Sequence, residues 1–542
     1  MLIELLLLVL EITARSASLP FLNRLVQAPC GPIEGITSYV LSQPVQTFLG
    51  VPYVVKPVGK MRFRKPEPLS PWSKTLIANR MPPACIQYTT HPYPWYDPEP
   101  GKDEDCLYLN IWAPIDAKEG SKKAVIFWIH GGGPYGSNRN KVENGAALAG
   151  LGDVILVSPN YRLGLFGFLN TGSEEVLRNI GIWDIIEALK WVRQNIESFG
   201  GDPNRVTLHG VSSGSFIITM LCVSPLTKGL FNQAIIESGS AIVVQNNPSG
   251  PNQKLSQDTA KAVGCATDER TIQNDTQRVV DCLREKDAMY LAQIAASFHP
   301  DSDADFLTEF GDELFPNPPF EDILQGRFHP VPLLIGNNKD EGVEEINSHL
   351  DVFGFFGEKS PSINQSYARF LIKDTIDAFL NCSSDSVADY YLTNISDGVA
   401  LRQQMYEAVG EIEFKCPTSY FAESYADRNN NVYYYVFTHR PSVTPWAEWM
   451  GTVHYEEVQF VFGLPLREPF QYTQQEFDLS MKMVKTWTHF AKNGSPSTDF
   501  YWPKFSRLNP LVVIIDTDFD GSLQIINPSH QNCNYIRSCF GI

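Results

Sequence analysis

Basic residues are in short supply. The chain carries 43 Lys and Arg against 61 Asp and Glu, a formal net charge of −18 over 542 residues. A surface of that sign repels phosphate backbones and anionic lipid, which argues against nucleic acid and anionic membranes as partners, although an acidic field also steers cationic ligands. Long apolar runs are lacking beyond the N-terminus, so no later segment is long enough to span a bilayer. The cysteines never form a CxxC pair, which removes the usual signature of a thiolate zinc site. Internal repeats and low-complexity tracts are missing too, so the chain reads as continuous globular protein. What remains is 43% hydrophobic and 12% aromatic, enough for a large core.

The N-terminal run Leu5 to Leu10, followed by the small residues Ala14, Ser16, Ala17 and Ser18, reads as a signal peptide over 1–18. Its leading segment departs from the pattern, with Glu4 and no basic residue; the alternative is a buried N-terminal helix. Residues 19–542 then form a single domain, soluble and secreted. Ten cysteines, an even number in a secretory context, predict disulfides. N-glycosylation sequons begin at Asn274, Asn364, Asn381, Asn394 and Asn493.

Apolar β-prone runs alternate with helical patterns. Ala124 to Ile129, Val154 to Val157, Val206 to His209, Ala234 to Ile236, Val331 to Ile335 and Val432 to Phe437 read as strands. Ile182, Ile185, Ile186, Leu189, Val192 and Ile196 recur at helical spacing and predict an amphipathic helix. Thr473 and Glu476 form a capping box for a helix running to about Lys492, with Gly494 past its end. This alternation predicts an α/β protein with a large, mostly parallel central sheet covered by helices on both faces. The less regular stretches 246–305 and 348–427 are expected to form helical insertions over the sheet's C-terminal edge, where open α/β sheets bind ligands.

The chemistry centres on Gly210-Val211-Ser212-Ser213-Gly214, a G-x-S-x-G turn between the Val206 strand and the apolar helix pattern from Ser215 to Val223. Such a turn holds a serine Oγ out at the edge of an α/β-hydrolase sheet, and Ser212 is the nucleophile candidate. His130-Gly131-Gly132-Gly133 ends another strand, where a glycine run leaves backbone N–H groups free to face a developing oxyanion. Acyl transfer also needs a base and an orienting acid downstream, acid first and histidine last. Asp340 and Glu341, in the loop after the Val331 strand, compete for the acid. His349, His439, His454, His489 and His530 all remain open as the base.

The chain resembles the type-B carboxylesterase and cholinesterase family over nearly its whole length. The resemblance is carried by Phe48 to Tyr53 with Arg62-Phe63, by Glu104-Asp105-Cys106-Leu107-Tyr108-Leu109-Asn110, by Asn160-Tyr161-Arg162 through Leu169, and by Phe199-Gly200-Gly201-Asp202-Pro203 through Gly214. Trp446 to His454 and Phe460 to Gly463 look closest to cholinesterases. The resemblance implies the α/β-hydrolase fold and hydrolysis of small-molecule esters, with no cofactor and no metal. It implies Ser212, Glu341 and His454 as the triad, Gly132, Gly133 and Ser213 as oxyanion-hole N–H donors, Glu457 as an acid behind the triad, and Asp340, His130 and His439 as structural. It implies disulfides Cys85–Cys106, Cys265–Cys282 and Cys416–Cys533, with Cys539 a competing partner for Cys416; Cys222, in an apolar helix, reads as a buried free thiol, and Cys30, Cys382 and Cys539 are unassigned.

Trp95, Tyr88 and Trp446 resemble substrate-binding aromatics of cholinesterases, which hold a quaternary ammonium by cation–π contact. Three departures weaken a choline-ester reading. Val211 replaces a glutamate before the nucleophile, Glu344 and Glu345 stand where aromatics are usual, and Ser302 and Ala304 leave an acyl pocket open. A secreted general carboxylesterase is therefore preferred to a cholinesterase. The rival from another class, a non-catalytic adhesion or binding relative, usually lacks a triad member, and none is missing here.

Overall fold

The computed structural model describes residues 24–93, 101–133, 135–298, 306–349, 353–359, 362–380, 382–497 and 499–542. The expected signal peptide, Trp95, Ser302, Ala304 and Asn381 lie outside them. Thirteen strands form one sheet among these residues. They are β1 (Arg24–Ala28), β2 (Gly31–Val40), β3 (Gln43–Pro52), β4 (Leu76–Ile77), β5 (Tyr108–Pro114), β6 (Lys123–Ile129), β7 (Ile155–Pro159), β8 (Gly201–Val211), β9 (Gln233–Glu237), β10 (Leu333–Asn338), β11 (Val432–Phe437), β12 (Leu511–Ile515) and β13 (Gln524–Ile526). Their order is β1-β2-β3-β5-β7-β6-β8-β9-β10-β11-β12-β13, with β4 beside β2. From β7 to β12 every pairing is parallel; β1, β2, β3 and β5 pair antiparallel at one end, and β13 does so at the other.

The central strands are apolar on both faces because both are covered. Val125, Phe127 and Ile129 of β6 point into one core, and Ala124, Ile126 and Trp128 into the other. β11 divides likewise, Val432, Tyr434 and Val436 against Tyr433, Tyr435 and Phe437. Period-two alternation within a continuous apolar run is the mark of a parallel strand buried on both sides. Helices α1 (Ile180–Asn195) and α2 (Ser213–Leu221) contribute to the first core, and α4 (Gln474–Asn493) to the second; the short α3 (Gly342–His349) follows β10. The capping box at Thr473 and Glu476 forms, and Gly494 closes α4 in the left-handed region. Helices also fill the two insertions, including Ser249–Ala262, Thr276–Glu285, Gln365–Phe379 and Gly398–Gly410.

One expectation needs correction: strand β10 begins at Leu333 rather than Val331, because Pro332 has no N–H to give the ladder. Helix α1 is amphipathic, with Glu187, Lys190, Arg193 and Gln194 outside the core, and its buried side takes in Trp183, Asp184 and Asn195 along with the isoleucines. What makes a polar residue tolerable there is pairing. Asp184 accepts from the Arg162 backbone N–H at 3.0 Å, from Nε at 2.8 Å and from Nη2 at 2.6 Å.

The four disulfides are Cys85–Cys106, Cys265–Cys282, Cys416–Cys533 and Cys382–Cys539. Cys539 thus pairs with Cys382, not Cys416. Cys30 and Cys222 are free, the latter buried. No helix among the described residues is long and apolar enough to cross a membrane.

Replacing Asp184 by Ala strands the Arg162 guanidinium in the core. The expected loss in unfolding free energy is about 3–5 kcal/mol, read from chemical denaturation; a loss below about 1 kcal/mol, the scale of an exposed pair, would contradict it.

Candidate active site

The site is assembled at the C-terminal ends of adjacent parallel strands. β8 ends at Val211, α2 begins at Ser213, and Ser212 between them has φ 55° and ψ −126°, a conformation non-glycine residues rarely hold. Its backbone is pinned: Ser212 N–H donates to Glu237 O at 2.9 Å, and its carbonyl accepts from Phe216 N–H at 3.0 Å. The flanking glycines are forced by the end of β6. A Cβ on Gly214 would lie 2.2 Å from Ile129 O, and one on Gly210 would lie 2.7 Å from the same atom. Gly131 presses from the other side, where a Cβ would meet Val211 O at 2.4 Å. Val211 itself is fully buried against the α4 core rather than presented at the site.

Beyond β10, Glu341 is fully buried and uses both carboxylate oxygens. Oε1 accepts from Asn338 N–H at 2.6 Å and from Ser238 Oγ–H at 2.5 Å; Oε2 lies 2.6 Å from His454 Nδ1. This geometry fixes the tautomer: Nδ1–H points at the acid, and the buried Nε2 has no hydrogen-bond partner. Burial would lower the His454 pKa, but the charge of Glu341 and its hydrogen bond, then Glu344 and Glu457, outweigh burial and raise it. Asp340 is occupied elsewhere, accepting the Thr452 N–H at 2.9 Å. The Phe414 ring packs against the His454 ring, with centroids 4.6 Å apart.

Two further buried carboxylates lie behind the acid. Glu457 accepts from Asn338 Nδ2, and burial together with Glu237 and Glu341 pushes its carboxyl well above the usual range. Glu237 Oε1 receives Trp487 Nε1–H at 2.6 Å and lies 3.0 Å from His209 Nε2. Glu237, Ser238, Asn338 and His209 had escaped sequence reasoning. The signal was there: an acid directly follows the apolar strand at Ala234, and a polar pair interrupts the run at Asn337.

The glycine loop has its own supports. Gly132 and Gly133 have φ of 98° and 60°, and Gln87 clamps Gly136 through bonds of 3.0 and 2.8 Å. Gly133 N–H donates to Ser213 Oγ at 3.1 Å. His130 is buried and stacked on Tyr161 at 4.4 Å; burial lowers its pKa to about 4, so it is neutral. His439 lies between Glu476 and Asp516, at 3.1 and 3.3 Å, away from this group. Trp446 is buried against Phe355 and Phe356, and Tyr88 is half-buried. The sequons Asn274, Asn364, Asn394 and Asn493 are all exposed.

A strained serine between a parallel strand and a helix, with a glycine loop packed against that turn and a buried Glu–His pair after a later parallel strand, is the arrangement of a serine hydrolase of the α/β-hydrolase class. The chain matches the Carboxylesterase family over residues 23–535 and belongs to it; it is a serine carboxylic ester hydrolase, and its substrates are small-molecule esters. It is 36% identical to acetylcholinesterase-1 of Trittame loki, over 96% of this chain and 95% of that one. It is 34% identical to the acetylcholinesterase of Leptinotarsa decemlineata, over 92% and 83%. The cholinesterase of Mus musculus is 31% identical, over 91% and 83%.

Because the Glu341 charge is the largest influence raising His454, Glu341→Gln is expected to lower the histidine's titration point toward or below that of free imidazole, about 6.5. Proton NMR of the His454 ring checks this; an unmoved or raised titration point would contradict it.

Proposed function

We propose that the enzyme cleaves esters through a Ser212–His454–Glu341 triad and an acyl-enzyme intermediate. The observation that carries this reading is the 2.6 Å contact of His454 Nδ1 with Glu341 Oε2, which leaves Nε2 without a hydrogen-bond partner and free to take a proton. His454 Nε2 takes the Ser212 Oγ proton as Oγ bonds to the ester carbonyl carbon, and the carbonyl π pair moves onto its oxygen. Backbone N–H groups of Gly132, Gly133 and Ser213 bind that oxyanion. The intermediate collapses, the C–O bond to the alcohol breaks, and the imidazolium returns its proton to the leaving oxygen. Water then repeats the sequence on the acyl-enzyme and frees the acid.

Ser212→Ala is expected to lower kcat by on the order of 10⁴ or more without loss of the folded circular-dichroism signal; near wild-type turnover would sink the triad. Glu341→Gln is expected to cost more in kcat than Asp340→Asn, and the reverse order would reassign the acid.

For substrate class we favour a general carboxylesterase. Val211 carries no charge and turns into the core, and by the family resemblance the small residues Ser302 and Ala304 replace acyl-pocket aromatics. A second reading, choline-ester hydrolysis, is supported by Glu344, a carboxylate 4% exposed whose charge acts on His454, and by the names of the relatives. Butyrate and longer p-nitrophenyl esters are expected to match or exceed acetate in kcat/KM, since each methylene in an apolar pocket is worth roughly 1–3 kcal/mol. Acetylthiocholine is expected to be poor; a clear preference for it would establish the second reading. We further propose that residues 1–18 are removed on export and that 19–542 act as one secreted domain, a reading supported by four disulfides and four exposed sequons.

A further inference from the structure

The residue after the nucleophile carries a hydroxyl that the mechanism above does not use. Ser213 opens α2, is half-buried, and its Oγ accepts the Gly133 N–H at 3.1 Å. Gly133 has φ 60° and Gly132 φ 98°, so the loop turns sharply here, and the Gly133 N–H faces the serine turn instead of a ladder. An oxygen that takes the Gly133 N–H as its donor must therefore displace Ser213 Oγ from that N–H and come to lie beside the hydroxyl. The Ser213 hydroxyl in turn donates to the Tyr161 phenol oxygen, and that phenol donates to His130 O at 2.9 Å and is stacked on the His130 ring. The hydroxyl is thus held beside the oxyanion donors by packed, hydrogen-bonded neighbours.

We propose that Ser213 serves the oxyanion twice, through its backbone N–H and through its Oγ–H, the hydroxyl acting as a further catalytic donor. This rests on the oxyanion-hole reading given above. A serine hydroxyl has one donor and two acceptor sites and rotates to suit its neighbours. Before substrate arrives, Oγ accepts the Gly133 N–H, which gives that half-buried donor a partner. When the ester carbonyl binds, its oxygen takes that N–H. Oγ is released as an acceptor, and its O–H turns toward the same oxygen. The hydrogen bond is neutral in the ground state and charge-assisted once the carbonyl π pair has moved onto oxygen, when such bonds are roughly twice as strong. The interaction therefore strengthens in the transition state and acts on kcat more than on KM. No bond is made or broken by Ser213, and no proton leaves it.

Ser213→Ala keeps the N–H and removes only the hydroxyl. It is expected to lower kcat for a p-nitrophenyl ester by on the order of 10², the loss typical of one oxyanion donor, with KM changed by less than roughly threefold. The affinity of an alkyl trifluoromethyl ketone, which forms a hemiketal oxyanion on the nucleophile, is expected to weaken by the same factor as kcat/KM. Ser213→Thr, which restores a hydroxyl, is expected to recover part of both losses. Unchanged or increased kcat with unchanged inhibitor affinity in Ser213→Ala would overturn the proposal and make the hydroxyl a removable plug. A fall in kcat with unaltered inhibitor affinity would overturn it as well. Failure of the triad reading is distinguishable, because it shows as activity in Ser212→Ala whatever Ser213→Ala does.

Discussion

The ends of β6 and β8 approach so closely that only glycine fits between them. Ile129 O would stand 2.2 Å from a Cβ on Gly214 and 2.7 Å from one on Gly210, well inside any real contact. The sheet itself brings this about, since β6 and β8 pair in parallel up to Ile129 and Gly210. The β8 chain therefore turns out of the sheet in one step, and Ser212 absorbs the turn in its own dihedrals. The same approach sets the glycine loop against the nucleophile, because Gly131 touches Val211 and Ser212. Strain at one residue, over-determined by the packing around it, is how a folded scaffold presents a reactive atom.

Beneath the site, charge is handled in a way that ordinary cores avoid. Glu237, Glu341 and Glu457 are all fully buried, and the first two act electrostatically on the third. Each has compensation of a different kind: His454 and two donors for Glu341, Trp487 and His209 for Glu237, and a raised pKa for Glu457. Like charges so placed cannot all ionise at ordinary pH, and neutralising one is the least costly solution. Asn338 connects two of them, its N–H to Glu341 and its side-chain amide to Glu457. Ser238, with φ 54°, connects Glu341 to the strand next to the nucleophile.

Much of this was legible in the sequence where one strong pattern decides local structure. The central strands show as apolar runs because both faces are covered, and the elbow shows because its glycines answer to a steric need. The antiparallel strands β1 to β3 were not anticipated. In Gly31–Val40 buried and half-buried residues alternate through glycines, a proline and hydroxyl side chains, so no apolar run announces the strand. Helix α1 shows its solvent stripe in its spacing, but the burial of Asp184 and Asn195 within it is a property of its neighbours, not of that spacing. Residues alone left Asp340 and Glu341 tied, since both precede Gly342. Geometry separates them, because one carboxylate is taken by Thr452 and the other faces His454. The engagement of Ser213 Oγ has no sequence signature, as it depends on how a distant loop bends.

The two disulfides near the C-terminus link the same pair of regions. Cys382–Cys539 and Cys416–Cys533 both tie the helix Ser384–Leu392 and its neighbours to the segment after β13. Strands β11, β12 and β13 and helix α4 therefore lie inside a covalently closed ring of chain. A protease that nicks an exposed loop within that ring, such as the one around Leu508, leaves two pieces still joined by sulfur. The triad histidine candidate and its acid lie on one piece after that cut, and the sulfur links keep strands β12 and β13 beside them. The break becomes visible as separate fragments only after reduction.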